Sequence, residues 1–93
     1  MEEKFTEAWL SAREEARKLG VRLRPLEREK AMAQARRELS GNRDSEGFGE
    51  LSRMGRLELT LEALAVKKQF TALFDDDQAN NALDRLLEAG YRF

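Results

Sequence analysis

The sequence predicts an all-α fold: a single small domain, residues 1–93, of about four helices, three shorter ones packed on a long central one at about 51–74. Three observations carry that expectation. Apolar side chains recur at helical spacing through most of the chain. A single proline leaves few stretches barred from helix. Charged residues make up 38% of the chain and apolar ones 41%, the balance of amphipathic helices with charged outer faces. A chain this short buries only about two-thirds of the surface its unfolded form exposes, so a large enclosed active site is not expected.

The first helix is placed at residues 2–19, where Phe5, Ala8, Trp9, Ala12, Ala16 and Leu19 fall within one arc at helical spacing. Gly20 follows as the left-handed stop. "VRLRP" reads as extended, because Arg24 precedes proline; Val21 and Leu23 then point one way, Arg22 and Arg24 the other. Pro25 suits the first turn of a second helix at 26–39, whose buried stripe is Ala31, Met32, Ala35 and Leu39. "SGNRDSEGFGE", residues 40–50, with its glycines and turn formers, reads as a flexible loop. The third helix, at 51–74, would be apolar around most of its circumference and polar only along Arg56, Glu58, Glu62 and Lys67, hence buried and central. Gly55 marks a late start or a hinge in it. The last helix, at 76–89, carries Ala79, Ala82, Leu83, Leu86 and Leu87 on one face and closes at Gly90, with Tyr91 packing back on Leu86.

"FDDDQ" is the stretch that looks most like chemistry, and helix capping explains it. Asp75 stands one residue before the periodic run and Gln78 three residues on, the spacing of a capping box. Asp76 and Asp77 then favour the positive end of the helix dipole. A calcium loop counted from Asp75 would meet Ala79, Asn80 and Leu86 where it needs an oxygen ligand, a glycine and a glutamate. No metal ligand set is therefore assigned. The chain has no histidine and no cysteine, which removes the commonest general base, the commonest metal ligand and the most reactive nucleophile. No acid falls inside an apolar stripe, and no phosphate-binding glycine run or nucleophile-elbow motif is present. Neither a catalytic residue nor a cofactor is expected, and an enzyme is disfavoured.

The net charge of −1 hides an asymmetry. Arg13 to Arg37 holds nine basic and four acidic residues; Leu57 onward holds four basic and seven acidic. Such a division can orient a partner. The longest apolar run, Ala63 to Val66, is too short for a signal peptide or a membrane span, and a cysteine-free chain suits a reducing compartment. The resulting expectation is a small non-enzymatic cytoplasmic binding or regulatory protein that contacts another protein or assembly as an accessory or inhibitor. Phe48, an aromatic between glycines, is the candidate anchor; Arg22, Arg24, Arg92 and Phe93 are further candidate contacts. A homodimer would cover any apolar surface left on the central helix. The alternative is a nucleic-acid-binding regulator using Arg22, Arg24, Arg28, Lys30, Arg36 and Arg37, a set interrupted by Glu27 and Glu29. Trp9, on an apolar face, is assigned to the core.

Overall fold

A computed structural model describes residues 1–92, and among them all regular structure is helical. The α-helices are α1 (Glu2–Lys18), α2 (Ala31–Ser40), α3 (Phe48–Arg53), α4 (Leu61–Ala65) and α5 (Asp76–Glu88). Short 3-10 turns at Arg28–Lys30, Leu57–Leu59 and Thr71–Leu73 join them. None of the described helices is long and apolar enough to cross a membrane.

The all-α expectation holds, but the long central helix does not exist. Gly55 takes φ +72° and ends α3 instead of beginning a helix. Arg56 N–H donates to the Leu51 carbonyl at 2.8 Å and Gly55 N–H to that of Ser52 at 3.1 Å, the paired bonds of a Schellman ending. Thr60 is extended and caps α4, its hydroxyl oxygen accepting from Ala63 N–H at 3.1 Å. Beyond Ala65 the backbone tightens to three-residue hydrogen bonds, Lys67 to Leu64 and Phe70 to Lys67, which return Phe70 to the interior. The physical reason is burial. A continuous helix with apolar residues all round would need cover on every side, whereas short turns let Leu57, Leu61, Leu64 and Phe70 all point inward.

The other helices lie close to their expected bounds. α1 and α5 end in the same Schellman pattern, Val21 N–H to Ala16 and Tyr91 N–H to Leu86, and Tyr91 packs against the Leu86 cluster. α2 begins later than expected, because Glu27 is extended and a 3-10 turn intervenes. In the strap from Val21 to Glu27, Val21 is buried and Leu23 half-buried, while Arg22 and Arg24 are exposed. Asp75 and Gln78 form the capping box of α5: Gln78 N–H donates to Asp75 at 2.7 Å, and Asp75 N–H to the Gln78 side chain at 3.0 Å.

The main core gathers Phe5, Trp9, Ala31, Ala35, Leu39, Leu61, Leu64, Ala65, Phe70, Phe74 and Ala82. Fully buried Phe5 meets Phe70 and Phe74 nearly edge-on, with ring centroids 5.3 and 5.2 Å away. The expected exposure of Phe48 is overturned. It is 4% exposed and packs with Leu57, Ala63 and Leu86 in a second cluster. Gly47, at φ +83°, turns the chain into α3 and places Phe48 at its inner end.

A Cβ on Gly47 would meet Leu23 Cδ2 at 2.9 Å and Val21 Cγ1 at 3.1 Å, whereas one on Gly55 would meet nothing within 4 Å. Gly55→Ala is therefore expected to cost about 1–2 kcal/mol, the left-handed penalty alone. Gly47→Ala should cost about 2–4 kcal/mol, since overpacking adds to that penalty. Urea unfolding of the two variants checks the ordering; equal losses would show that the strap yields to the added methyl.

Candidate functional site

The basic segment is folded largely onto acids of the same chain. Arg13 donates to the Arg24 carbonyl, stands 3.7 Å from Glu46 and lies over the Trp9 ring, 5.5 Å from its centroid. Burial pushes its guanidinium below the ordinary pKa, with Glu46 opposing the shift. Glu46 also accepts from the Arg24 backbone N–H at 3.2 Å and from Arg24 Nε at 3.0 Å, and its own N–H donates to Glu38 at 3.1 Å. One glutamate thus ties α1, the strap and α2 together.

Of the six cations proposed for nucleic acid, four have acidic partners: Arg24 with Glu46, Arg28 with Glu7, Lys30 with Glu27 at 3.3 Å and Arg36 with Glu2 at 3.5 Å. Arg36 also donates twice to the Leu73 carbonyl, at 3.0 and 3.2 Å. Arg37 donates to the Gln34 side chain at 3.4 Å, and Arg22 is exposed. A cleft of about 440 Å³ between the strap and α2 is lined by Arg13, Arg24, Lys30 and Arg37, interleaved with Glu27, Glu38 and Glu46. Its lining thus mixes charges of both signs. The other candidate contacts are scattered: Arg92 is exposed, and Phe93 lies outside the described residues.

The acid that sequence reasoning placed on a solvated face is the most buried charge described. Glu62 is 0% exposed, and Arg85, at 9%, donates to its Oε2 at 3.2 Å. Ser45 supplies its hydroxyl to Oε1 at 2.5 Å and its backbone N–H to Oε2 at 2.8 Å. Glu62 also stands in the first turn of α4, where the dipole favours negative charge. Arg85 further donates to the carbonyls of Glu38 at 3.1 Å, Leu39 at 3.5 Å and Gly41 at 2.6 Å, around the end of α2. Asn81 adds a bond to Leu39 at 2.8 Å, and Gln78 reaches Ser40 at 2.9 Å and the Arg36 carbonyl at 3.4 Å. α2 is the helix whose following glycine, Gly41, is extended rather than left-handed, so these α5 side chains satisfy its last carbonyls. The 40–50 segment is accordingly pinned through Ser45 and Gly41, not loose.

A serine hydroxyl on a carboxylate invites comparison with an activated nucleophile. Here the carboxylate also holds Arg85 and the Ser45 backbone N–H, and Glu62 is fully buried. Among the described residues no group of three or more acids is placed to hold a metal ion. Residues Leu61 to Ala65 are all buried within the one chain, while Met54 is exposed and Leu59, Val66 and Leu73 are half-buried.

Met1, Leu19, Met54, Leu83 and Leu87 are the exposed large apolar side chains among the described residues, Leu19 against its expected place on the inner arc of α1, and two of them share one helix face, the outer face of α5. Ala82 and Leu86 are buried as expected, but Leu83 is 37% exposed and Leu87 is 55% exposed. Asp76, Asp77, Asn80, Asp84 and Glu88 are exposed around them. Comparison with protein-family models, with curated proteins and with solved structures finds no match for this chain.

Removing one member of a buried pair leaves the other charge uncompensated, which costs about 3–5 kcal/mol. Glu62→Gln should lower stability by that amount in urea unfolding. Arg85→Met should cost at least as much, since it also uncaps α2. A loss under about 1 kcal/mol for either would mean that the pair acts like an exposed one.

Proposed function

We propose that this chain is a small non-enzymatic binding protein that acts through protein–protein contact, as an accessory or inhibitor of a larger partner, with the outer face of α5 as its contact surface. The observation carrying this reading is the pair of exposed leucines, Leu83 and Leu87, one helical turn apart on a regular helix. Exposed apolar groups at helical spacing amid charged neighbours are the form a helix-packing contact takes. Phe48, expected from the sequence as the anchor, is core and leaves α5 as the contact surface. A cytoplasmic setting accords with this reading, since a cysteine-free chain needs no oxidising compartment.

Nucleic-acid binding is the less favoured reading. Four of its six proposed cations are paired with acids, which reduces the positive field available to phosphates.

Recovery of partners from cells with the parent, with Leu83→Asn plus Leu87→Asn, and with Arg22→Glu plus Arg37→Glu, two exposed cations without acidic partners among the described residues, tests the assignment. The leucine pair is expected to lose the partner while remaining folded, at a cost of about 1–2 kcal/mol from helix propensity and the covered part of Leu83. The arginine pair should retain it. Loss with the arginine pair alone, or duplex binding at about 50 mM salt that the arginine pair abolishes, would reverse the assignment.

A further inference from the structure

Side chains four residues apart line up as ridges along a helix, and α5 presents four of them. Two are engaged inside the molecule: Asn81 and Arg85 cap α2, and Gln78, Ala82 and Leu86 are buried. Two face outward side by side. One is apolar, Ala79, Leu83 and Leu87; the other is acidic, Asp76, Asn80, Asp84 and Glu88.

We propose that the groove between these outward ridges takes a basic amphipathic helix of another protein, an inference that rests on the reading of α5 as the contact surface. Its leucine-like side chains would pack beside Leu83 and Leu87, and its lysines or arginines would lie along Asp84 and Glu88. The electrostatics of α5 alone support a cationic occupant. Asp84 and Glu88 are like charges four apart, which repel, and Glu88 ends the helix, where the dipole disfavours negative charge. Neither has an ion partner among the described residues. Arg85, the cation of this helix, is turned inward. Cations from outside relieve both penalties.

The same charges disfavour other occupants. Two copies meeting through α5 would set the acidic ridge of one against that of the other. The outer side of α2 offers Arg37 beside Ala33 and has no large apolar ridge to pack on the leucines. Nucleic acid and anionic lipid are repelled.

The test is an NMR titration of the ¹⁵N-labelled full chain with a synthetic leucine–lysine amphipathic helical peptide, and with versions carrying glutamine or glutamate for lysine. The leucine–lysine peptide should shift the amides of Asp76 to Glu88 saturably. It should bind about tenfold more tightly than the glutamine version, weaken with salt, and have no binding counterpart in the glutamate version. Asp84→Asn with Glu88→Gln should weaken it about 3- to 10-fold, and Leu83→Asn with Leu87→Asn at least tenfold. All four side chains are exposed, so unchanged shifts elsewhere establish that each variant is folded. Equal binding of the glutamine peptide on α5 overturns the basic partner while leaving α5 as a contact surface. No movement of α5 with any peptide overturns both. Broadening of α5 signals that grows with protein concentration, without peptide, would assign the face to a second copy.

Discussion

The ion pair between Glu62 and Arg85 is the contact on which the rest of the chain depends. Placing two charges inside a domain of 93 residues is unfavourable unless nearly every donor and acceptor is matched. Here the matching reaches across the molecule. The carboxylate takes both donors of Ser45 as well as the guanidinium, and the guanidinium takes carbonyls of Glu38, Leu39 and Gly41. α4, α5, the end of α2 and the 41–47 connection therefore share one polar centre, and loosening any of them would leave a buried charge or carbonyl unpaired.

α2 explains why such a centre is useful. Its inner face is Ala31, Ala35 and Leu39, and two of those three side chains contribute little apolar area. It lacks the glycine stop that satisfies the last carbonyls of α1, α3 and α5. Gln78, Asn81 and Arg85 supply that stop from outside, and Arg36 returns the contact by binding the Leu73 carbonyl just before α5. A second clasp, through Arg13, Arg24, Glu46 and Glu38, holds the strap against α1 and α2. Arg13, Arg24 and Arg36 of the basic stretch thus also act as internal fastening.

The helix ends were the most legible part of the sequence, because their signals are local. Gly20, Gly90 and the Asp75–Gln78 box act where their spacing says, and Val21 and Leu23 turn inward from the strap as their alternation requires. The interior of 51–74 is not legible from periodicity, because a helical projection assumes an unbroken helix. Gly55 and Thr60 carried the breaks, but apolar periodicity ran through both and concealed them. With the register lost, Glu62 fell on an imagined polar strip, and its burial depends on Ser45 and Arg85, 17 and 23 residues away, which no local pattern links to it. Phe48 was misplaced for a related reason. The glycines beside it suggested freedom, whereas Gly47 is held in one left-handed conformation against Val21 and Leu23.

The outward face of α5 follows from the same centre. Leu83 and Leu87 stand two residues before and two after Arg85, about 200° around the helix from it in either direction. Seating Arg85 against Glu62 and the end of α2 therefore turns both leucines away from the molecule. Rotating α5 to bury them would draw Arg85 off Glu62 and expose the last carbonyls of α2, at a cost in buried unpaired polar groups larger than two partly exposed leucines would recover. Asn81 and Gln78 resist the same rotation through their bonds to Leu39 and Ser40. The apolar ridge is thus held in solvent by the polar centre beneath it, which fixes the surface as firmly as the core.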